Sequence, residues 1–79
     1  MDDFESVIEE LQLLEEDGVP KNVKVQIEEI ISFLKDENID RSIRISKALV
    51  VLDNIANDIN LAPHCRTQFW NLSSMLESY

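Results

Sequence analysis

Residues 8–20, IEELQLLEEDGVP, and residues 49–63, LVVLDNIANDINLAP, carry one spacing written twice. Ile8, Leu11, Leu14 and Asp17 recur as Leu49, Leu52, Ile55 and Asp58, and each series runs into a proline, Pro20 or Pro63, that opens another apolar-periodic stretch. A hairpin of two short helices cannot cover its apolar face alone but can cover it against a second copy. The doubled spacing therefore predicts two helical hairpins. It names no reaction.

Working outward, Phe4, Val7, Ile8, Leu11 and Leu14 form one stripe of a first helix over about 3–17, which can start at Asp2 or Asp3 because such residues cap free N–H groups. Gly18, the only glycine, suits the left-handed position after a helix end, and Pro20 suits a first turn. A second helix over about 20–35 turns Val23, Ile27, Ile30, Ile31 and Leu34 inward. Asp40 is the expected cap of a third helix over about 40–57. That helix is apolar around most of its circumference, from Ile43 through Val50 to Ala56, and is expected to be the most buried element. Read alone, the run Leu49–Leu52 also fits a short buried strand, but the helical period on both sides favours a helix. A fourth helix over about 63–78 points Phe69, Leu72, Met75 and Leu76 inward, with Trp70 on the shoulder of that stripe.

Short connections make successive helices antiparallel neighbours. The expected fold is one all-α domain, an up-and-down four-helix bundle. The alternative is two stacked HEAT-like hairpins, since the prolines recur at a solenoid-like period but two units are few for a solenoid.

Seventy-nine residues leave a modest core, so association with a second copy would stabilise the domain readily. No apolar run approaches the roughly 20 residues of a membrane-spanning helix, and Met1-Asp2-Asp3-Phe4-Glu5 lacks the basic start of a signal peptide. A cytoplasmic protein without a membrane partner is expected. Cys65 is the only cysteine, so no internal disulfide can form. The net charge of −9 is uneven: residues 1–40 carry thirteen acids and three bases, residues 41–79 three acids and four bases. This acidity argues against a nucleic-acid partner, whose phosphates need a basic face.

Basic residues stand at the starts of the later helices, where the helix dipole favours acids. Lys21 and Lys24 open the second helix, Arg41, Arg44 and Lys47 the third, His64 and Arg66 the fourth. One reading pairs them across the turns, with Glu15, Glu16 and Asp17 meeting Lys21 and Lys24, and Asp53 or Asp58 meeting Arg66. The other is an anion site, because the starts of the second and fourth helices share one end, where Lys24, His64, Arg66 and the Thr67 hydroxyl could converge. Asp58 and Asn60 read first as turn residues, and Trp70 as an edge-of-core residue before an interface anchor. His64 and Cys65 suggest a nucleophile pair, but adjacent helical residues point about 100° apart. No catalytic set, metal site or cofactor is expected, since His64 is the sole histidine and no Glu-x-x-His pair exists.

Leu52-Asp53-Asn54-Ile55-Ala56-Asn57-Asp58, followed by Asn60, Pro63, His64, Arg66-Thr67, Trp70, Ser74 and Leu76-Glu77, resembles the signature of uncharacterised protein family 0147, small archaeal proteins. Val19-Pro20-Lys21-Asn22-Val23 is similar to that family's earlier Val-Pro-basic-Asn segment. The resemblance implies an archaeal, cytoplasmic, all-helical protein with no assigned activity. Cys65 departs from the pattern, which has a small apolar residue there. The expected function is a non-enzymatic protein–protein interaction or assembly module, acting on itself or an unknown protein, with Asp58 to Trp70 as the candidate surface. The alternative is a phosphate- or nucleotide-binding module at the starts of the second and fourth helices.

Overall fold

The apolar periods become helices in the computed structural model, which describes residues 4–79. In chain order these are α1 (Glu5–Glu16), α2 (Lys21–Lys35), α3 (Arg41–Ala56) and α4 (Pro63–Glu77). Among the described residues there is no strand, and Leu49–Leu52 lies within α3. The capping role expected of Asp2 or Asp3 lies outside the described residues. Gly18 has φ +86°, the left-handed conformation that lets the chain leave α1 without a Cβ penalty. Pro20 precedes α2 and Pro63 is the first residue of α4, where a missing N–H costs nothing. Asp40 precedes α3 as expected, but its side chain caps no backbone N–H and instead accepts the Ser42 hydroxyl at 3.2 Å.

Each helix packs against its chain neighbours, and α1 also packs against α4, while α1 and α3 lie diagonally across the bundle. The contact between α1 and α4 closes a ring of four antiparallel helices, which selects the bundle over the stacked-hairpin alternative. Phe4, Leu11, Ile27, Leu34, Leu52, Ile55, Phe69 and Leu76 fill its axis.

The expectation for α3 is corrected. Only Ala48, Leu52, Ile55 and Ala56 are buried on this helix, no more than on the others. Ile43 and Val50 face outward, and Ile45, Leu49 and Val51 are partly covered. A helix in a four-membered ring has neighbours on two sides, so an all-round apolar helix keeps one apolar face uncovered. Leu61, in the connection to α4, and Cys65 join the core instead.

Candidate functional site

Two places stand out: the polar end where the α1–α2 and α3–α4 turns meet, and a groove between α2 and α3.

At the polar end, Asp58 ties the turns together. Its Oδ1 accepts the backbone N–H of Asn60 at 2.8 Å and its Oδ2 accepts the Asn22 side-chain amide at 2.8 Å. These two bonds, the backbone one first, hold its carboxyl below the usual range, with a smaller contribution from Arg66. Asn60 thus acts through its main chain.

The turn-pairing reading expected Arg66 to meet the Asp53 or Asp58 carboxylate, but its guanidinium bonds main-chain carbonyls instead. Its Nε donates to the Ala56 carbonyl at 2.8 Å, and its Nη2 to the carbonyls of Asp58 at 2.8 Å and Leu61 at 3.3 Å. The Ala56 carbonyl belongs to the last turn of α3, the negative end of that helix. The charge that looked misplaced at the start of α4 therefore serves the end of α3. Arg44 does the same one turn earlier, donating from Nη1 to the Leu34 carbonyl at 2.9 Å. Each arginine is the fourth residue of its helix and reaches ten residues back.

The remaining members of the expected anion site are dispersed. Thr67 bonds back to the Pro63 carbonyl at 3.4 Å. Lys24 lies beside Glu15, whose carboxyl is raised first by burial and then by its hydrogen bond to Glu28, Lys24 acting in the opposite direction. Trp70 is 56% exposed on α4 and so stands outside the core rather than at its edge. Ile59, which the sequence reading did not single out, is 92% exposed in the turn before α4.

The structure brings together a different trio. Asp17, at the end of α1, places Oδ2 3.4 Å from His64 Nε2 and 4.0 Å from Cys65 Sγ. His64 Nε2 lies 3.5 Å from Cys65 Sγ. The 100° between neighbouring helix positions does not keep these side chains apart, because the longer imidazole folds back across the first turn of α4. Burial, and then the Asp17 carboxylate, push the Cys65 thiol up from its usual range. Forty-seven residues separate Asp17 from His64, so no local motif marks the trio. The signal available was that both lie where the prolines begin their helices.

Along the other side, a groove of about 340 Å³ between α2 and α3 is lined by Glu29, Phe33, Ser46, Lys47, Val50 and Val51. Lys47 Nζ sits 4.7 Å from the Phe33 ring centre across it. Val50 is 61% and Val25 56% exposed, and Ile43 continues the outward stripe of α3, one helical repeat before Val50.

The family model described as Uncharacterised protein family (UPF0147) matches residues 1–79. A UPF0147 protein of Methanosarcina mazei is 37% identical over 81 residues, covering 98% of this chain and 87% of that protein. One from Thermococcus kodakarensis is 33% identical over 66 residues, covering 84% and 80%. A crystal structure of a protein from the same uncharacterised family, from Thermoplasma acidophilum, superposes with a TM-score of 0.89 at 36% identity, covering 95% of this chain and 89% of that one.

Proposed function

Since the chain belongs to the uncharacterised protein family UPF0147, a name that assigns no activity, we propose from its own surface that it is a non-enzymatic, cytoplasmic association module that pairs with a second copy through the α2/α3 face. The uncovered apolar face of α3, joined by Val25 and the exposed part of Phe33, carries this reading. It differs from the Asp58–Trp70 surface expected from sequence, because Val50, Val51 and Phe33 line one continuous groove.

Charge favours a second copy as the occupant. A two-fold interface sets a patch against itself, so the patch must contain both partners of every attraction. Glu29 and Lys47 line the same groove with opposite charge. Residues 41–79 carry a net +1, and the acidic α1 lies diagonally across the bundle from α3, so pairing through α3 keeps most of the −9 apart. The anion-binding alternative has less support: Arg66 Nε and Nη2 are already committed to carbonyls, and Asp17 stands beside His64.

Sedimentation over a dilution series tests the reading. A monomer–dimer equilibrium is expected in the native chain. It should weaken at least tenfold in Val50→Glu, an exposed position where the monomer stays folded, and stay unchanged in Trp70→Ala. A native mass that remains monomeric at millimolar concentration would sink the proposal.

A further inference from the structure

We infer that Asp17, His64 and Cys65 form a three-ligand site for a borderline divalent transition-metal ion, zinc above all, with water completing the fourth position. The inference stands apart from the α2/α3 association, which uses none of these residues. Its basis is the match between the donor triangle and a metal's coordination shell. A tetrahedral zinc ion, with Zn–S of about 2.3 Å and Zn–N and Zn–O near 2.0–2.1 Å, spaces its donors about 3.3–3.6 Å apart. The observed separations are 3.4 Å for Asp17 Oδ2 to His64 Nε2, 3.5 Å for His64 Nε2 to Cys65 Sγ, and 4.0 Å for Asp17 Oδ2 to Cys65 Sγ. Only the last must shorten, by roughly 0.5 Å to fit that shell. The Asp17 side chain is exposed and free to make that turn.

The elements that hold the trio are already fixed. Asp17 ends α1, and Gly18 at positive φ turns the chain away directly after it. His64 and Cys65 lie in the first turn of α4, held by Pro63 and by the Arg66 bonds beneath it. The sulfur lies inward, since Cys65 is buried, while the imidazole and carboxylate form the exposed rim. An ion can therefore enter from solvent, meet the two exposed ligands and settle on the sulfur.

The donor set also selects the ion. A sulfur ligand excludes magnesium and calcium, which take oxygen, and sulfur with imidazole and carboxylate suits zinc or cobalt(II). Binding replaces the thiol proton, which leaves to solvent, by the metal–sulfur bond. With Asp17 and Cys65 as anions and His64 neutral, the loaded site carries no net charge.

The test titrates the purified full chain with zinc chloride against a chromophoric chelator, and with cobalt(II) followed by absorbance. The native chain is expected to bind one ion per chain, with the thiolate-to-cobalt charge-transfer band and the intense visible bands of tetrahedral cobalt(II). Cys65→Ala should lose the charge-transfer band and weaken zinc binding at least tenfold. Asp17→Asn and His64→Ala should each weaken zinc binding at least tenfold as well. Those two positions are exposed, so circular dichroism should show both variants folded even where loss of the buried thiol disturbs packing. Zinc should raise the melting temperature of the native chain clearly more than that of Asp17→Asn at the same zinc concentration. Equal zinc binding by the native chain and all three variants, one ion per two chains, or a cobalt spectrum without sulfur character would each overturn the site.

Discussion

The two ends of the bundle solve one problem with different materials. At each, an arginine in the first turn of a helix donates to the carboxyl-terminal carbonyls of the helix before it, Arg44 to Leu34 and Arg66 to Ala56. At the Arg44 end the surroundings are aromatic. Phe4 and Tyr79 stack with ring centres 5.2 Å apart, and Arg41 and Arg44 lie over the Phe4 ring at 5.5 and 5.2 Å. At the Arg66 end they are polar: Asn22 bonds Asp58, and Asp17 meets His64, both at exposed positions. An aromatic end is held by burial and is hard to rearrange. A polar end leaves lone pairs near solvent, which is where ligand chemistry can occur.

The largest effect should come from the aromatic end. Phe4 is buried and is shared by α1, the chain terminus and two arginines. Phe4→Ala is expected to cost about 3–5 kcal/mol, a large part of a small domain's stability. Denaturant unfolding checks it. A loss below about 1 kcal/mol would mean that the stack is peripheral and that the two ends are held in the same way.

The arginines come next. Arg66→Ala should cost about 1.5–3 kcal/mol, the range for hydrogen bonds to charged groups, because it strips three carbonyls of a donor. Arg44→Ala removes one carbonyl bond and a ring contact, and should cost about 1–2 kcal/mol. A double-mutant cycle sharpens the contrast: Arg44 and Phe4 should couple by about 0.5–1 kcal/mol, and Arg66 and Phe4 not at all. Equal couplings would break the comparison.

The helices, the role of Gly18 and nearly all of the apolar stripes of α1, α2 and α4 were legible because they follow from local periods and turn chemistry. Within α3 the period was legible but its burial was not. Which side of Ile43 or Val50 meets a neighbour depends on how many helices close the ring. The basic helix starts were legible, with acids across each turn or a bound anion as their expected partners. Arg44 and Arg66 use carbonyls instead, which every residue has and no sequence pattern marks. Only the repeated offset of ten between each arginine and its carbonyl would have shown it. The Asp17–His64–Cys65 trio was hidden for a related reason: its ends were placed correctly, but a donor triangle depends on side-chain reach across 47 residues of chain.

The smallest effect is electrostatic, and it divides the polar end itself. Asp58 has its folded pKa lowered, so it contributes stability that is present above its unfolded value of about 3.9 and lost as pH falls through the folded value. Glu15, packed against Glu28, has its folded pKa raised. Its contribution is fully present below its unfolded value of about 4.3 and is lost as pH rises through the folded value. Acidification from neutral should therefore first strengthen the α1–α2 contact and then, below about pH 4, weaken the link from Asn22 to Asp58. The melting temperature should pass through a shallow maximum in mildly acidic solution. Glu15→Gln should flatten the upper limb and raise stability slightly at pH 7, by about 0.5 kcal/mol or less, as expected for a like-charge pair screened by solvent. Asp58→Asn should lower the melting temperature slightly at pH 7 and match the native chain in acid. A native profile that falls steadily from pH 7 downward would show that protonation of Glu15 adds no stability. The polar end would then be governed by Asp58 alone.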